Sequence, residues 1–156
     1  MTVRVQREDF DVGAELAAMT TDKTSIGGVT LFVGLVRDMS GRGAEGEAVS
    51  AMTLEHYPGM TEKQLQAIEE EARRRWPLDD ALIIHRYGRL QPGDRIVLVA
   101  TASAHRQAAF ESCHFLIDWL KTKAPFWKLE ATPEGERWVE AKETDDEAAN
   151  RWVKGT

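Results

Sequence analysis

Residues 103–128 read SAHRQAAFESCHFLIDWLKTKAPFWK. Ala109, Phe110, Cys113, Leu116, Ile117 and Leu120 recur at the three- and four-residue spacing of an amphipathic helix, so they form a core or interface stripe. Ser103 has the chemistry of a helix N-cap, which places His105 and Arg106 in the first turn. Free backbone N–H groups and the helix dipole favour an anion there. Pro125 excludes a regular helix through Ala124, so the chain turns between Lys121 and Lys128. The stretch carries Arg106, Lys121, Lys123 and Lys128 against Glu111 and Asp118, in a chain whose net charge is −6. A local basic cluster in an acidic protein points to an anionic substrate.

A helix from Ala104 to Lys121 spans roughly 25 Å at 1.5 Å per residue. His105 and Arg106 therefore cannot share a small pocket with Lys121 of the same chain. A two-fold dimer resolves this by setting the start of one helix beside the end of its copy. The expected pocket is composite, and part of the apolar stripe holds the dimer together. Read alone, His105 is equally a packed or solvent-facing histidine. Lys121 and Lys128, read alone, are more readily surface lysines at a helix C-terminus, which favours cations in any case.

The 156 residues make one expected domain, 1–156, with a core of ordinary hydrophobic content. The acidic balance argues against general nucleic-acid binding. No apolar run approaches membrane-spanning length. The start, MTVRVQREDF, lacks the apolar core of a signal peptide, so a cytoplasmic location is expected. The single cysteine, Cys113, falls in the apolar stripe and reads as a buried thiol, not a nucleophile. The common nucleotide and metal motifs are absent and give no help.

Outward from the central stretch, strands are predicted at 2–7, 29–37, 48–56, 81–87, 95–102, 128–131 and 137–141. Helices are predicted at 9–19, from Thr61 to Trp76, and at 145–152. Thr61 and Gln64 have the capping-box spacing. The charged face of that helix, EEEARRR, reads as solvated. Gln91-Pro92-Gly93-Asp94 suits a type II turn. The segment 38–47 is glycine-rich and reads as a flexible loop, either a lid or a surface linker. Short turns between successive strands favour antiparallel pairing and an α+β class.

Several stretches closely resemble the large, catalytic subunit of molybdopterin synthase. They are TLEHYPGMTEKQL (53–65), HRYGRLQPGD (85–94), SAHR (103–106), WLKTKAPFWK (119–128) and TPEGERWVEA (132–141). The likeness runs from about Val29 to Trp152. It implies an α/β-hammerhead fold, mostly antiparallel, with a small extra β subdomain. It implies a homodimer with a small ubiquitin-like sulfur-carrier subunit at each end, a heterotetramer overall. The carrier's C-terminal Gly-Gly thiocarboxylate would supply sulfur to precursor Z, the cyclic pyranopterin monophosphate, to build the molybdopterin dithiolene.

By the same resemblance, Arg37, His105 and Arg106 anchor phosphate and pterin, Lys121 is the central catalytic group, and Lys128 supports it. Leu35, Val36, Leu129 and Glu130 flank these and contribute backbone contacts. Leu35 stands where relatives often carry lysine, and Lys123 where arginine is common. Cations are needed because substrate and thiocarboxylate are both anionic. Two other classes fit the same residues: a non-catalytic anion-binding regulatory or scaffold subunit, and a sulfurtransferase using a persulfide on Cys113.

Overall fold

The computed structural model describes residues 3–37, 51–123, 126–132, 135–139 and 150–153. The predicted 38–47 loop and most of the predicted 145–152 helix lie outside them. Among the described residues there are eight strands and three helices. In chain order they are β1 (Val3–Gln6), α1 (Val12–Thr20), β2 (Gly28–Leu35), β3 (Ala51–His56), α2 (Met60–Arg75), β4 (Asp80–Arg86), β5 (Gly88–Leu90), β6 (Arg95–Ser103), α3 (Arg106–Lys123), β7 (Phe126–Thr132) and β8 (Gly135–Val139).

The strands form two four-stranded sheets, ordered β1-β4-β6-β2 and β5-β3-β7-β8. All described pairings are antiparallel except β1 with β4, which run parallel. The class is α+β, mostly antiparallel, and the second sheet is the small β unit expected beside the main one. The turn Gln91–Asp94 has Gly93 at φ +92° and a 2.9 Å bond from the Asp94 N–H to the Gln91 carbonyl, as a type II turn requires.

The main sheet is covered on both faces. Ile83, Val97 and Val99 join a core with Leu65, Ile68, Phe115 and Leu116 of α2 and α3. Leu82, Ile84, Leu98 and Ala100 face the other way and meet Phe10 and Met19. Burial on both sides explains why RIVLVATA is apolar without alternation.

Local expectations for α2 and α3 need correcting. The capping contact is made by the Gly59 N–H, not by a group on Thr61, and it donates to Glu62 Oε2 at 3.1 Å. Thr61 is buried, and its Oγ1 accepts from the Tyr57 N–H at 3.2 Å. Ser103 ends β6 and donates to the Pro77 carbonyl at 2.7 Å, so it does not cap α3. His105 stands at that position, its carbonyl accepting from the Ala109 N–H at 3.4 Å. In α3, Phe115 is fully buried, ringed by Trp76, Trp119 and Trp152 at centroid distances of 5.3, 4.7 and 5.7 Å. Phe110, expected in the core or interface stripe, is 62% exposed in the single chain and so is not part of its core.

The charged face of α2 is only partly solvated. Glu69 is buried and paired with Arg73. Arg75 lies 4.9 Å over the Phe115 ring and donates to the Trp152 carbonyl at 2.6 Å. Its stem and guanidinium close the aromatic cluster from outside, so packing draws this residue inward.

Candidate active site

The direction of α3 decides which basic residues meet. An added Cβ on Gly28, at the start of β2, would lie 3.8 Å from Arg106 Cα. Thr101 Oγ1 donates to the Ala109 carbonyl at 2.7 Å, and Cys113 Sγ lies 3.9 Å from the Val99 carbonyl. Each step of two residues back along β6 thus matches about four along α3, as their rises require. Continued, this brings Lys121 level with Arg95. Arg95 pairs with Leu35 at the far end of β2, and Arg37 follows two residues later.

One end of the main sheet therefore carries Arg37 and Lys121, and the opposite end carries His105 and Arg106. α3 is unbroken over Arg106–Lys123, so the expected separation of roughly 25 Å stands. Within one chain Arg37 does not join the His-Arg pair with which it was grouped. His105 and Arg106 are both exposed, as is Arg37, while Lys121 is half-buried.

The His105 end has a cavity of about 540 Å³ with walls from Trp76, Pro77, Leu78 and Ala108. Glu111 on its rim accepts from Trp76 Nε1 at 2.9 Å and from Gln107 Nε2 at 3.1 Å, and these two bonds hold its carboxyl below the usual range. Gly27 is required here. Its N–H donates to the Ser103 carbonyl at 2.9 Å, and a Cβ would fall 2.0 Å from the Ala104 carbonyl oxygen.

At the other end, Leu35 follows a register shift at Gly34 and is 54% exposed. It lines a cleft of about 550 Å³ with Asp9, Val12, Val33 and Arg95. The Arg95 guanidinium binds Asp9 at 2.6 and 2.9 Å and holds its carboxyl down to about 2. Val36 is buried, and both of its backbone groups bond the turn before β6: its N–H to Asp94 at 2.9 Å, its carbonyl to the Gly93 N–H at 2.7 Å.

β7 begins two residues after α3 ends. Its Lys128, Leu129 and Glu130 stand opposite Leu54, Thr53 and Met52 of β3, and opposite Val139, Trp138 and Arg137 of β8. The backbone of this segment is thus the inside of a sheet. The helix end carrying Lys121 and the strand carrying Lys128 are joined through Ala124 and Pro125, so the two lysines come from adjoining elements.

Two histidines not singled out from sequence stand beside this junction. His85 is buried and stacks on Phe126 at 3.7 Å between centroids and 17° between planes. His56, opposite Phe126 in the sheet register, lies 6.2 Å from that ring and 4.2 Å from Tyr87. Both histidines fall within the quoted stretches 53–65 and 85–94, but nothing local marks them as neighbours of Phe126. Cys113 is buried, and burial pushes its thiol up to about 12. Among the described residues no cluster of histidine, cysteine and carboxylate side chains could hold a metal ion. No helix among them is long and apolar enough to cross a membrane.

A mostly antiparallel α+β chain with cationic residues at both ends of one helix matches known proteins closely. The family model described as MoaE protein matches residues 5–123. The molybdopterin synthase catalytic subunit of Ralstonia nicotianae is 55% identical over 151 residues, covering 97% of this chain and 84% of the relative. The Escherichia coli protein of the same name is 54% identical over 145 residues, covering 93% of each chain. Among solved structures, the molybdopterin biosynthesis MoaE protein from Burkholderia ambifaria superposes with a TM-score of 0.81 at 54% identity, covering 98% of this chain and 99% of the other. The chain belongs to the MoaE family, the catalytic subunits of the sulfurtransferase molybdopterin synthase.

Proposed function

We propose that the chain transfers sulfur from the C-terminal thiocarboxylate of a small carrier subunit to precursor Z, forming the molybdopterin dithiolene in two transfers. The active unit is a homodimer with two composite pockets. Each pocket takes Arg37, Lys121 and Lys128 from one copy and His105 and Arg106 from the other. The observation that carries this reading is the unbroken α3, with basic residues at both ends roughly 25 Å apart. A two-fold axis across the helix sets opposite ends side by side.

Both reactants are anionic, so the cations hold them together against their repulsion. Arg106 and His105 anchor the phosphate ester, and Arg37 contacts the pterin end. Lys121 orients the thiocarboxylate and moves protons as the carbon–sulfur bond forms, with Lys128 supporting it. Leu35 and Val36 shape the rim beside Arg37. Leu129 and Glu130 hold the strand that presents Lys128. The reading places the enzyme in the cytoplasm with its carrier and assigns it no metal or organic cofactor.

The test is reconstitution with thiocarboxylated carrier and precursor Z, following dithiolene formation. Wild-type protein turns over, and Lys121→Ala loses at least about a hundredfold in rate, as expected for a group acting on the reacting atoms. A folded protein that binds charged carrier yet never turns over would favour the anion-binding scaffold instead.

A further inference from the structure

We infer that His85 is a positioning residue for sulfur transfer: its ring, stacked on Phe126, sets where β7 begins and thereby where Lys121 and Lys128 stand. The inference rests on the proposed roles of those two lysines.

A buried imidazole costs desolvation that an apolar side chain would not, so its place in the core calls for a reason. One ring nitrogen is satisfied locally. Nδ1 lies 2.8 Å from the Arg86 carbonyl oxygen, which only accepts, so Nδ1 carries the proton and donates. That bond fixes the ring plane. The plane then lies nearly parallel to Phe126 at 3.7 Å. Phe126 is the first residue of β7, placed between the two lysines in sequence, and among the described residues β7 pairs only with strands of the small sheet.

His85 belongs to β4, at the centre of the main sheet, paired with Val5 on one side and Val97 on the other. The stack therefore ties the start of β7 to the sheet that also carries α3 and Arg37. His56 approaches the same ring at 6.2 Å from the small-sheet side. Phe126 is thus held by a ring from each sheet. A shift of its backbone would move the helix end carrying Lys121 and the strand carrying Lys128 relative to Arg37. Errors of about 1 Å in such placements cost up to about a hundredfold in rate.

The deciding pair is His85→Phe against His85→Leu in the full chain with carrier bound. Both lose the Nδ1 hydrogen bond, and only the first keeps a ring face for Phe126. Single-turnover sulfur transfer is measured as a maximal rate and as the precursor Z concentration giving half of it, with carrier affinity and unfolding midpoint alongside. His85→Leu is expected to lose roughly ten- to a hundredfold in maximal rate with carrier affinity unchanged, while His85→Phe stays within about threefold of wild type at a similar midpoint. Equal losses in both variants, or no loss in either, overturn the inference.

If His85→Leu does not fold, Phe126→Tyr against Phe126→Leu carries the same expectations. Acylation rates of the Lys121 and Lys128 amines, read by mass spectrometry, provide a check without turnover: they change in His85→Leu and not in His85→Phe. Lys121→Ala separates the two levels. Full turnover in Lys121→Ala would overturn the site reading, and unchanged amine reactivity in His85→Leu would overturn the role of the stack.

Discussion

The buried Thr101 hydroxyl donates to the Ala109 carbonyl oxygen at 2.7 Å, joining the inside of β6 to the second turn of α3. With the Cys113–Val99 contact, it fixes the direction in which α3 returns along the sheet. Lys121 consequently ends beside the strand terminus that leads to Arg37, and His105 and Arg106 remain at the other end. The basic residues of this chain thus stand in two groups, one at each end of α3.

Composite pockets predict complementation. Arg106→Ala and Lys121→Ala homodimers are each expected to be inactive, because each lacks one half of every pocket. Subunit exchange between them gives heterodimers with one doubly damaged pocket and one intact pocket. Random mixing then restores roughly a quarter of wild-type activity, since half the dimers carry one working site of two. No recovery after verified exchange, or full activity in either single variant, would contradict the shared pocket.

Gly27→Ala should damage the His105 end specifically. The added methyl would meet the Ala104 carbonyl oxygen at 2.0 Å, and backbone cannot swing aside as a long side chain can. Overpacking of this kind costs about 1–3 kcal/mol. Thermal melts should show that loss. Turnover should fall as in Arg106 variants, and a Gly27→Ala dimer should be rescued by a Lys121→Ala partner. Rescue by an Arg106→Ala partner instead would place the damage at the wrong end.

Cys113 should be dispensable. Burial raises its thiol to about 12, so the thiolate is negligible at neutral pH, and Sγ faces the Val99 carbonyl inside the core. Cys113→Ala is expected to retain turnover with thiocarboxylated carrier. Iodoacetamide should label Cys113 at pH 8 only when the protein unfolds. Rapid labelling of the native protein, or a persulfide found on this residue by mass spectrometry, would revive the persulfide alternative.

The Asp9–Arg95 pair gives a pH signature. Arg95 lowers the Asp9 carboxyl from 3.8 to about 2, so its contribution to stability is fully present above the ordinary value. It is lost as the pH falls from about 4 through about 2. Asp9→Asn should flatten the urea midpoint over that window and leave the profile above pH 5 parallel to wild type. The effect should be small, because Asp9 is half-exposed and solvent screens the pair. An unchanged acid limb in Asp9→Asn would show that other carboxylates dominate there.

Much of this was readable in the sequence. In the helix predicted from Thr61 to Trp76, Leu65, Ile68 and Ala72 stand three and four residues apart on one face, and all three are in the core. Gln91-Pro92-Gly93-Asp94 named its own turn, because only glycine readily takes the positive φ at that position. The motifs around His85, Arg106 and Lys121 carried the family. The length of α3 alone separates His105 and Arg106 from Lys121 by roughly 25 Å, since a helix rises by a constant amount per residue.

Other features were not legible, for physical reasons that can be named. In FESCHFLIDWL more than one apolar stripe satisfies helical spacing, so only packing against Trp76 and Trp152 buries Phe115 and leaves Phe110 exposed. Glu69 and Arg75 sit in a charge run, yet neighbouring elements draw them inward. The stack of His85 on Phe126 joins residues 41 positions apart, beyond the reach of any local pattern. Sequence alone determined most of the elements, the family and the distance between the two ends of α3, but not the three-residue strand β5, whose run is too short to show a period. Tertiary structure decided that Arg37 stands at the Lys121 end of its own chain and not at the His105 end, because strand register and helix direction are set by side-chain packing between distant segments.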